Sequence, residues 1–483
     1  MQRAPRASGL DLVRSVFKNH FVWGSDAQAR ALARVVGVAA LTFGAAAWSD
    51  QDSLQQQPAP ENAREAVTPL ESSFRERPLF RELNAITDAL HKKLQNAPAV
   101  IRDSEITLKP RVYYYDQEQP NGTVKEAVAG GGSLEYRSGL LFDRLRLGME
   151  LFTSQPIYAP EDRDGTQLLK PGQEGYTVLG QAYVAAKLGE AHELTAGRSE
   201  YDTPYVNRQF NRMTPNTFEG VSLKGAFKLG AEARHFDYLV GYLSDIKQRN
   251  SDTFIPMSQA AGSTEDHGTA MTELLFSAFG ASIGLADYYT PDSSNIFYAE
   301  ATVTPNLSGK WDAKLSVQGT DERALTGGTV LGGAVLGHEY AVRATLSRDN
   351  AVASLAVSTA SDHGGVVSPW GNSPSYTKGV IKNTARPGEY GALTSLSYGF
   401  ARAGLEGLSA GAIVGYYWNA QSPSDGTPLQ DEHEIDLSMD YKVPKGTLKG
   451  LWLRIQRNFL HGKGDPEATQ EWRVVLNWEI PLL

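Results

Sequence analysis

Apolar and polar residues alternate along most of the chain from Glu105 onward. Strict alternation gives a β-strand one apolar face and one polar face. The alternating segments run for about 9–11 residues, which is the length of a tilted transmembrane strand. In the last segment the apolar positions are Trp472, Val474, Leu476, Trp478 and Ile480. The pattern therefore predicts strands that cross a membrane.

About eighteen such segments follow one another, an even number of the kind that single-chain barrels use. No contrasting stretch has the periodicity of a packed helical layer, which disfavours a soluble sandwich. Unpaired strand edges are costly in lipid, so the sheet has to close. The predicted fold is all-β, a transmembrane antiparallel β-barrel over residues 105–483, with a second strand that begins near Ser133.

Aromatic residues gather at the ends of the predicted strands. The clusters are Tyr113–Tyr115, Tyr288–Tyr289, Tyr416–Trp418 and Trp478. Membrane barrels carry such girdles at both membrane–water interfaces. The clusters therefore favour a barrel in lipid over a soluble β-protein.

Residues 1–47 have the layout of a signal peptide with a long n-region. Arg30 and Arg34 precede an apolar run at 35–43, and Ala45–Ala47 supplies the small residues of a cleavage site. The alternative is an N-terminal membrane anchor, although the run is shorter than the ~20 residues of a spanning helix. An exported barrel is expected in the bacterial outer membrane.

Residues 48–104 are predicted to form a periplasmic extension. The stretch from Trp48 to about Pro69 is polar and rich in Gln and Pro, which predicts a mobile linker. Between Pro78 and Gln95, apolar residues recur at helical spacing, which predicts a short amphipathic helix. That helix could lie in the periplasm, dock in the barrel mouth or mediate self-association. A poorly ordered extension with local helix is the alternative.

Composition narrows the function classes. The 483 residues include no cysteine, which excludes disulfides and Cys metal sites. A formal net charge of −9 argues against nucleic-acid binding. Gly280–Gly284 matches Gly-x-Ser-x-Gly, but strand-like sequence follows where a nucleophile elbow needs a helix. We expect no enzyme and no catalytic, cofactor or metal site, and a barrel-borne hydrolase using Ser282 is the weakest alternative.

The alternation also predicts which charged side chains face the lumen. Barrel closure places the last strands beside the first, so their polar faces share one wall. The cations on this wall form a predicted basic ladder: Lys109, Arg111, Arg137, Arg144, Arg146, Arg454 and Arg473. Glu135 and Glu150 interrupt it, and the neighbouring strand adds a predicted acidic wall of Glu434, Asp436 and Asp440. Such a field attracts carboxylates and orients zwitterions, whereas the alternative is that the charges only solvate a water-filled lumen.

One long connection follows the strand that begins at His192. Residues 198–217 mix aromatic residues, arginines, asparagines and two prolines. Long loops without regular structure are usually functional or disordered. We interpret this one as a constriction loop folded into the lumen, with Tyr205, Arg208 and Arg212 as its candidate pore residues. The alternative is an ordinary extracellular loop.

Several motifs resemble the OprD-type porins, a family of substrate-specific outer-membrane channels with eighteen strands. The resemblance covers Glu105 to Leu483. Its motifs are Gly197-Arg198 through Asp202-Thr203-Pro204 to Arg212, Pro215 to Gly220, Ser104 to Tyr115, Tyr441 to Pro444, Leu448 to Ile455 and Glu471 to Val474. The resemblance implies an inward constriction loop and a basic ladder that guides carboxylates, to which Arg111, Arg454 and Arg473 correspond.

Two departures from the family pattern change the expected cargo. Gln456 stands at the second arginine of the family's Arg-x-Arg pair, with Arg457 beside it. The stretch Trp370–Lys378 lacks the acidic residue of family members that favour basic amino acids. The expected function is therefore passive diffusion of small carboxylate-bearing solutes, namely organic or aromatic acids and amino acids. The alternative is a structural or adhesive barrel whose periplasmic helix binds a partner. In outer-membrane lipid, the expected oligomeric state is a monomer or a homotrimer.

Overall fold

The structure is a computed structural model that describes residues 93–483, apart from 95, 231–233, 306, 308, 326–328, 331–332, 335, 363, 383–384 and 466. The predicted signal peptide, the linker and the predicted helix as far as residue 92 lie outside the described residues. Within the described part of the chain, no helix is long and apolar enough to cross a membrane.

Eighteen strands of eight or more residues dominate the described residues. From β1 to β18 they are Glu105–Glu118, Val124–Arg137, Leu145–Tyr158, Tyr176–Lys187, His192–Ser199, Thr217–Lys228, His235–Lys247, Thr269–Ala278, Ala281–Thr290, Ser294–Val303, Trp311–Ala324, Leu336–Arg348, Ala351–Ala360, Tyr390–Gly399, Leu408–Trp418, Glu432–Lys442, Trp452–Gly462 and Thr469–Asn477. The short helices are α1, Ala99–Arg102, and α2, Met257–Ala260, with 3₁₀ turns at Glu161–Arg163 and Phe400–Ala403. Two-residue strands occur at Ile255–Pro256, Thr329–Val330, Gly333–Ala334 and Ile480–Pro481.

The sheet closes on itself. Each of the eighteen strands pairs antiparallel with the next, and β18 pairs with β1 from Asn477 opposite Arg111 to Gln470 opposite Glu118. Ile480 and Pro481 extend this seam by pairing with Leu108 and Thr107. The wall therefore satisfies its own backbone hydrogen bonds, as a structure in lipid must. The predicted eighteen-strand antiparallel barrel is confirmed.

The two faces of each strand differ as the alternation predicts. In β1, Leu108 and Val112 are exposed, whereas Arg111, Tyr113 and Tyr115 are buried. The exposed apolar side faces lipid, and the buried side faces a lumen that loops partly fill. Aromatic clusters divide in the same way, since Tyr288 and Tyr417 are buried whereas Tyr289 and Tyr416 are exposed. Only the outward members form a membrane girdle.

One strand boundary was predicted wrongly. β2 begins at Val124, well before the predicted start at Ser133. The turn Pro120-Asn121-Gly122 precedes it, and such sequences favour tight hairpins. The run Gly130–Gly132 interrupts the alternation inside the strand, because glycine has no side chain to mark either face.

The long connections lie at one end of the barrel. They join β3 to β4 (159–175), β5 to β6 (200–216), β7 to β8 (248–268) and β13 to β14 (361–389). Membrane barrels have longer loops on the extracellular side and short periplasmic turns. This end is therefore extracellular, and the beginning of β1 with the end of β18 lies at the periplasmic end.

Candidate functional site

The first inward loop, residues 200–216, enters the barrel. Tyr205 at its tip is fully buried. The Tyr205 backbone N–H donates to the Tyr288 hydroxyl at 3.3 Å, and its own hydroxyl lies 2.9 Å from Thr320 Oγ1. Both partners face the lumen on β9 and β11. Tyr205 therefore reaches strands far around the wall from β5 and β6.

The same loop then returns across the lumen to β1. The Tyr113 hydroxyl donates to the Asn211 carbonyl at 3.3 Å, and the Arg212 guanidinium lies 4.6 Å from the Tyr115 ring centre. Arg208 pairs within the loop, with its Nε 2.9 Å from Asp202. The residues described in the predicted constriction loop thus lie inside the barrel, where they narrow it.

A second inward loop, residues 361–389, meets the first. The Asn207 side chain accepts from the Asn372 N–H at 2.8 Å and donates to the Asn372 carbonyl at 3.0 Å. A Cβ at Gly371 would lie 2.4 Å from Asn207 Oδ1, so only glycine allows the loops to approach this closely. Neither contact was predicted, because the two segments are far apart in sequence.

The predicted acidic wall supports this second loop. Glu434 Oε2 accepts the Lys382 N–H at 2.9 Å, and Asp436 Oδ2 accepts the Val380 N–H at 3.1 Å. A Cβ at Gly379 would lie 2.1 Å from the Glu434 carboxylate. Both carboxylates are buried under the loop. They therefore anchor backbone, while Asp440 pairs with Arg454 at 2.7 Å.

Strand register orders the cations of the basic ladder by height. Arg473 on β18 lies opposite Tyr115 on β1, and Arg454 on β17 lies opposite Val475, which in turn lies opposite Tyr113. Arg111 and Lys109 follow at the next two inward positions of β1. Inward positions are two residues apart, about 7 Å along a strand. Arg473, Arg454, Arg111 and Lys109 thus form four successive levels of one wall.

The periplasmic part of the ladder is largely neutralised. Lys109 Nζ lies 2.7 Å from Glu135 and 3.1 Å from Glu150. Arg137 lies 2.5 Å from Glu135. Arg144, in the turn between β2 and β3, and Arg146, near the start of β3, are both exposed. These cations border the periplasmic mouth and contribute little net field deeper in the lumen.

Three arginines come together where the first inward loop meets β1. Arg111 is buried, its Nε has no hydrogen-bond partner, and its guanidinium lies 4.3 Å from the Phe210 ring centre. Arg212 joins it from the loop, and each repels the charge of the other. Arg249, from residues 248–268, hydrogen-bonds the side chains of Asn211 and Gln167. We call Arg111, Arg212 and Arg249 the arginine cluster.

No described carboxylate lies within ion-pair distance of the arginine cluster, although Glu471 also attracts the charge of Arg212. Burial, together with the charges of Arg212 and Arg473, lowers the pKa of Arg249. Among the described residues, none of the three cluster arginines forms an ion pair with a carboxylate. Arg473, by contrast, is paired with Glu471. An anion arriving in the lumen would relieve the repulsion within the cluster.

Arg249 was not predicted from the sequence, because it lies in a polar loop where no periodicity indicates which way its side chain points.

The departure from the family pattern at Gln456 has a clear structural outcome. Gln456 faces inward and is buried, whereas Arg457 points outward and lies 4.8 Å from the Trp472 ring centre. Arg457 therefore cannot replace the missing rung.

A closed membrane barrel with a lumen narrowed by inward loops and lined on one side by cations is a selective outer-membrane channel. A family model described as outer membrane porin, OprD family, matches residues 99–482. The chain belongs to the OprD family of outer membrane porins.

Solved structures share this fold. OccK9 (OpdG) of Pseudomonas aeruginosa has a TM-score of 0.70 and 22% identity, with 80% of this chain and 100% of that chain covered. OpdK of the same organism, determined with vanillate, has a TM-score of 0.68 and 18% identity, covering 79% and 100%. A BenF-like porin from Pseudomonas fluorescens Pf-5 has a TM-score of 0.67 and 16% identity, also covering 79% and 100%. A comparison with curated protein sequences gave no significant match.

Proposed function

We propose that this porin is selective for small carboxylate-bearing solutes, which include organic acids, aromatic acids and amino acids. The observation that carries the proposal is the arginine cluster, in which Arg111 and Arg212 are buried, Arg249 is half-buried, and none forms an ion pair with a carboxylate of the described residues. Guanidinium groups bind carboxylates through strong, charge-assisted hydrogen bonds. A solute carboxylate would supply the negative charge that the protein itself omits there.

The ladder gives the solute a path. From the extracellular side it would meet Arg473 together with Arg212 and Arg249, then Arg454 and Arg111, and then Lys109 above the periplasmic mouth. Steps of about 7 Å let a carboxylate pass from one cation to the next. Because Arg454 and Arg473 have carboxylate partners of their own, they hold a passing anion more weakly than the cluster does.

Aromatic surfaces favour aromatic acids within this class. Phe210, Tyr113 and Tyr115 lie against the cluster guanidiniums, so an aromatic ring has stacking partners beside the carboxylate site. The structural relative OpdK was determined with vanillate, an aromatic carboxylate, which agrees with this preference.

The ladder is tested by the double variant Arg454→Ala plus Arg473→Ala. Asp440 and Glu471 would lose their partners and make the wall negative, so carboxylate flux into proteoliposomes should fall. Outward-facing Arg323→Ala plus Arg457→Ala removes the same charge from the lipid side and should have no effect. Preserved heat-modifiable migration on gels would show that the barrels fold. Unchanged carboxylate flux in the first variant would refute the ladder's role.

A further inference from the structure

Two histidines face each other on the outer surface of the barrel. His433 on β16 lies directly opposite His461 on β17 in the strand register. Successive side chains of a strand point to opposite faces of the sheet. Glu434, next to His433, is buried on the lumen side, whereas His433 is exposed. The two imidazoles therefore both point away from the lumen.

This histidine pair lies at the extracellular membrane–water interface. His433 is the second residue of β16, which begins at the extracellular end of the barrel. It also lies opposite Tyr416 on β15, whose ring stacks on that of Trp418 with ring centres 5.5 Å apart. Outward aromatic residues of this kind mark the interfaces of membrane barrels. Small ions in the external water can therefore reach the pair.

The nitrogens of the histidine pair have no polar partner in the protein. Among the described residues, neither imidazole donates or accepts a hydrogen bond, and neither forms an ion pair. Asp431 lies two residues before His433, but its carboxylate is held by the Lys463 ammonium at 3.1 Å and by the Tyr416 hydroxyl at 3.1 Å. The ring nitrogens are therefore available to a ligand from solution.

The spacing of the two rings suits a shared metal ion. Imidazole nitrogen is a favoured ligand of Zn²⁺, Cu²⁺ and Ni²⁺. With metal–nitrogen bonds of about 2.1 Å and a roughly tetrahedral angle, two imidazoles on one ion have ring centres about 5 Å apart. The ring centres of His433 and His461 lie 5.1 Å apart, and the 39° angle between the planes shows that the rings are not stacked face to face. The strands therefore already hold the imidazoles at the distance that a bound metal ion requires.

We propose that His433 and His461 form a binding site for one divalent transition-metal ion, with Cu²⁺ and Zn²⁺ as the best candidates. In the part of the chain that the structure describes, no group of three His, Cys, Asp or Glu side chains is placed to hold a metal ion. Two protein nitrogens would thus bind the ion, and water would fill its other positions. Structural zinc sites have four protein ligands, so this open site suits reversible binding. Because the site faces away from the lumen, it does not depend on the proposed solute selectivity.

The test titrates the folded protein, prepared without a polyhistidine tag and stripped of metal by a chelator, with Cu²⁺. Calorimetry should detect one tight site, and electron paramagnetic resonance should show two nitrogen ligands on the bound ion. His433→Gln and His461→Gln should each weaken Cu²⁺ binding about tenfold or more, because the second imidazole acts at a high effective concentration. Cu²⁺ should bind more tightly than Zn²⁺, as is general for nitrogen ligands.

His235→Gln is the matched control and should leave Cu²⁺ binding unchanged. His235 is also exposed, but it lies at the periplasmic end of β7 and 3.4 Å from Asp237. Preserved heat-modifiable migration would show that every variant folds. Mg²⁺ should not displace Cu²⁺, because Mg²⁺ prefers oxygen ligands.

Three results would overturn the proposal. Unchanged Cu²⁺ affinity in both variants of the pair would place the ion elsewhere. A loss in only one of them would assign the ion to a single histidine. Displacement by Mg²⁺ would indicate a carboxylate site such as Asp431 instead of the two imidazoles.

Discussion

Replacing Arg249 with glutamine tests the arginine cluster through a residue that lies outside the strands. The variant removes one of three guanidinium charges that have no carboxylate partner. Glutamine retains an amide that can still reach toward Asn211 or Gln167, so the loop keeps part of its support. The expected result is weaker binding of an aromatic carboxylate, without loss of conductance.

The size of the effect follows from Coulomb's law. A charge roughly 6 Å from a solute carboxylate, at an effective dielectric constant of roughly 40, contributes about 1.4 kcal/mol. This corresponds to about a tenfold change in affinity. The dielectric constant lies between that of water and that of a protein surface, because the lumen is wet but Arg111 and Arg212 are buried and Arg249 is half-buried. Salt would reduce the effect, so the measurement belongs at low ionic strength.

The assay is single-channel recording in a planar bilayer with vanillate added to one side. Binding appears as interruptions of the current, and their mean duration should shorten about tenfold in Arg249→Gln. Arg457→Gln is the matched control, because it removes the same charge from the outward face and should leave the duration unchanged. Equal durations in all three proteins would refute the cluster as the binding site. A similar shortening in both variants would mean that the effect is general electrostatics.

Three further predictions concern the loops and the extension. Burial and the nearby Glu150 carboxylate raise the pKa of Glu200 to about 7, although the charges of Arg208 and Lys109 oppose this shift. Lowering the pH from about 8 to about 6 should therefore neutralise Glu200 and increase the anion selectivity measured by reversal potentials. Glu200→Gln should reduce that pH response, and a response of unchanged size would assign it to other groups. Glu434→Ala should free the backbone N–H groups of the second inward loop and produce larger, noisier currents, whereas currents as quiet as those of the unmodified protein would contradict the anchoring role. Deleting Trp48–Asn96 should leave conductance intact, and its loss would instead favour the partner-binding alternative.

The sequence predicted the barrel because strand alternation is set by a local rule, the opposite orientation of successive side chains. That rule also gave the correct inward direction to Arg111, Arg454 and Arg473. It failed in β2, where glycines hide the alternation. It also could not tell inward from outward tyrosines within one aromatic cluster, since Tyr288 and Tyr289 are neighbours with opposite surroundings.

The details of the lumen depend on contacts between distant segments. Arg249 joins Arg212 only because both loops fold inward, and Asn207 meets Asn372 across the lumen. Glu434 and Asp436 carry the charge that the sequence assigns to the lumen wall, yet they serve as hydrogen-bond acceptors for a loop that covers them. No pattern within either segment indicates that the acidic wall and the second inward loop are in contact. This part of the site therefore could not be predicted from the sequence.

Selectivity of the unmodified, purified porin for an aromatic carboxylate tests the central claim most directly. Reversal potentials would be recorded across a bilayer with a tenfold gradient of a potassium salt of vanillate. Because of the arginine cluster and the ladder, we expect an open channel. The sign of its reversal potential should show that vanillate passes more readily than potassium. A potential of the opposite sign, or no conductance at all, would contradict a carboxylate-selective channel.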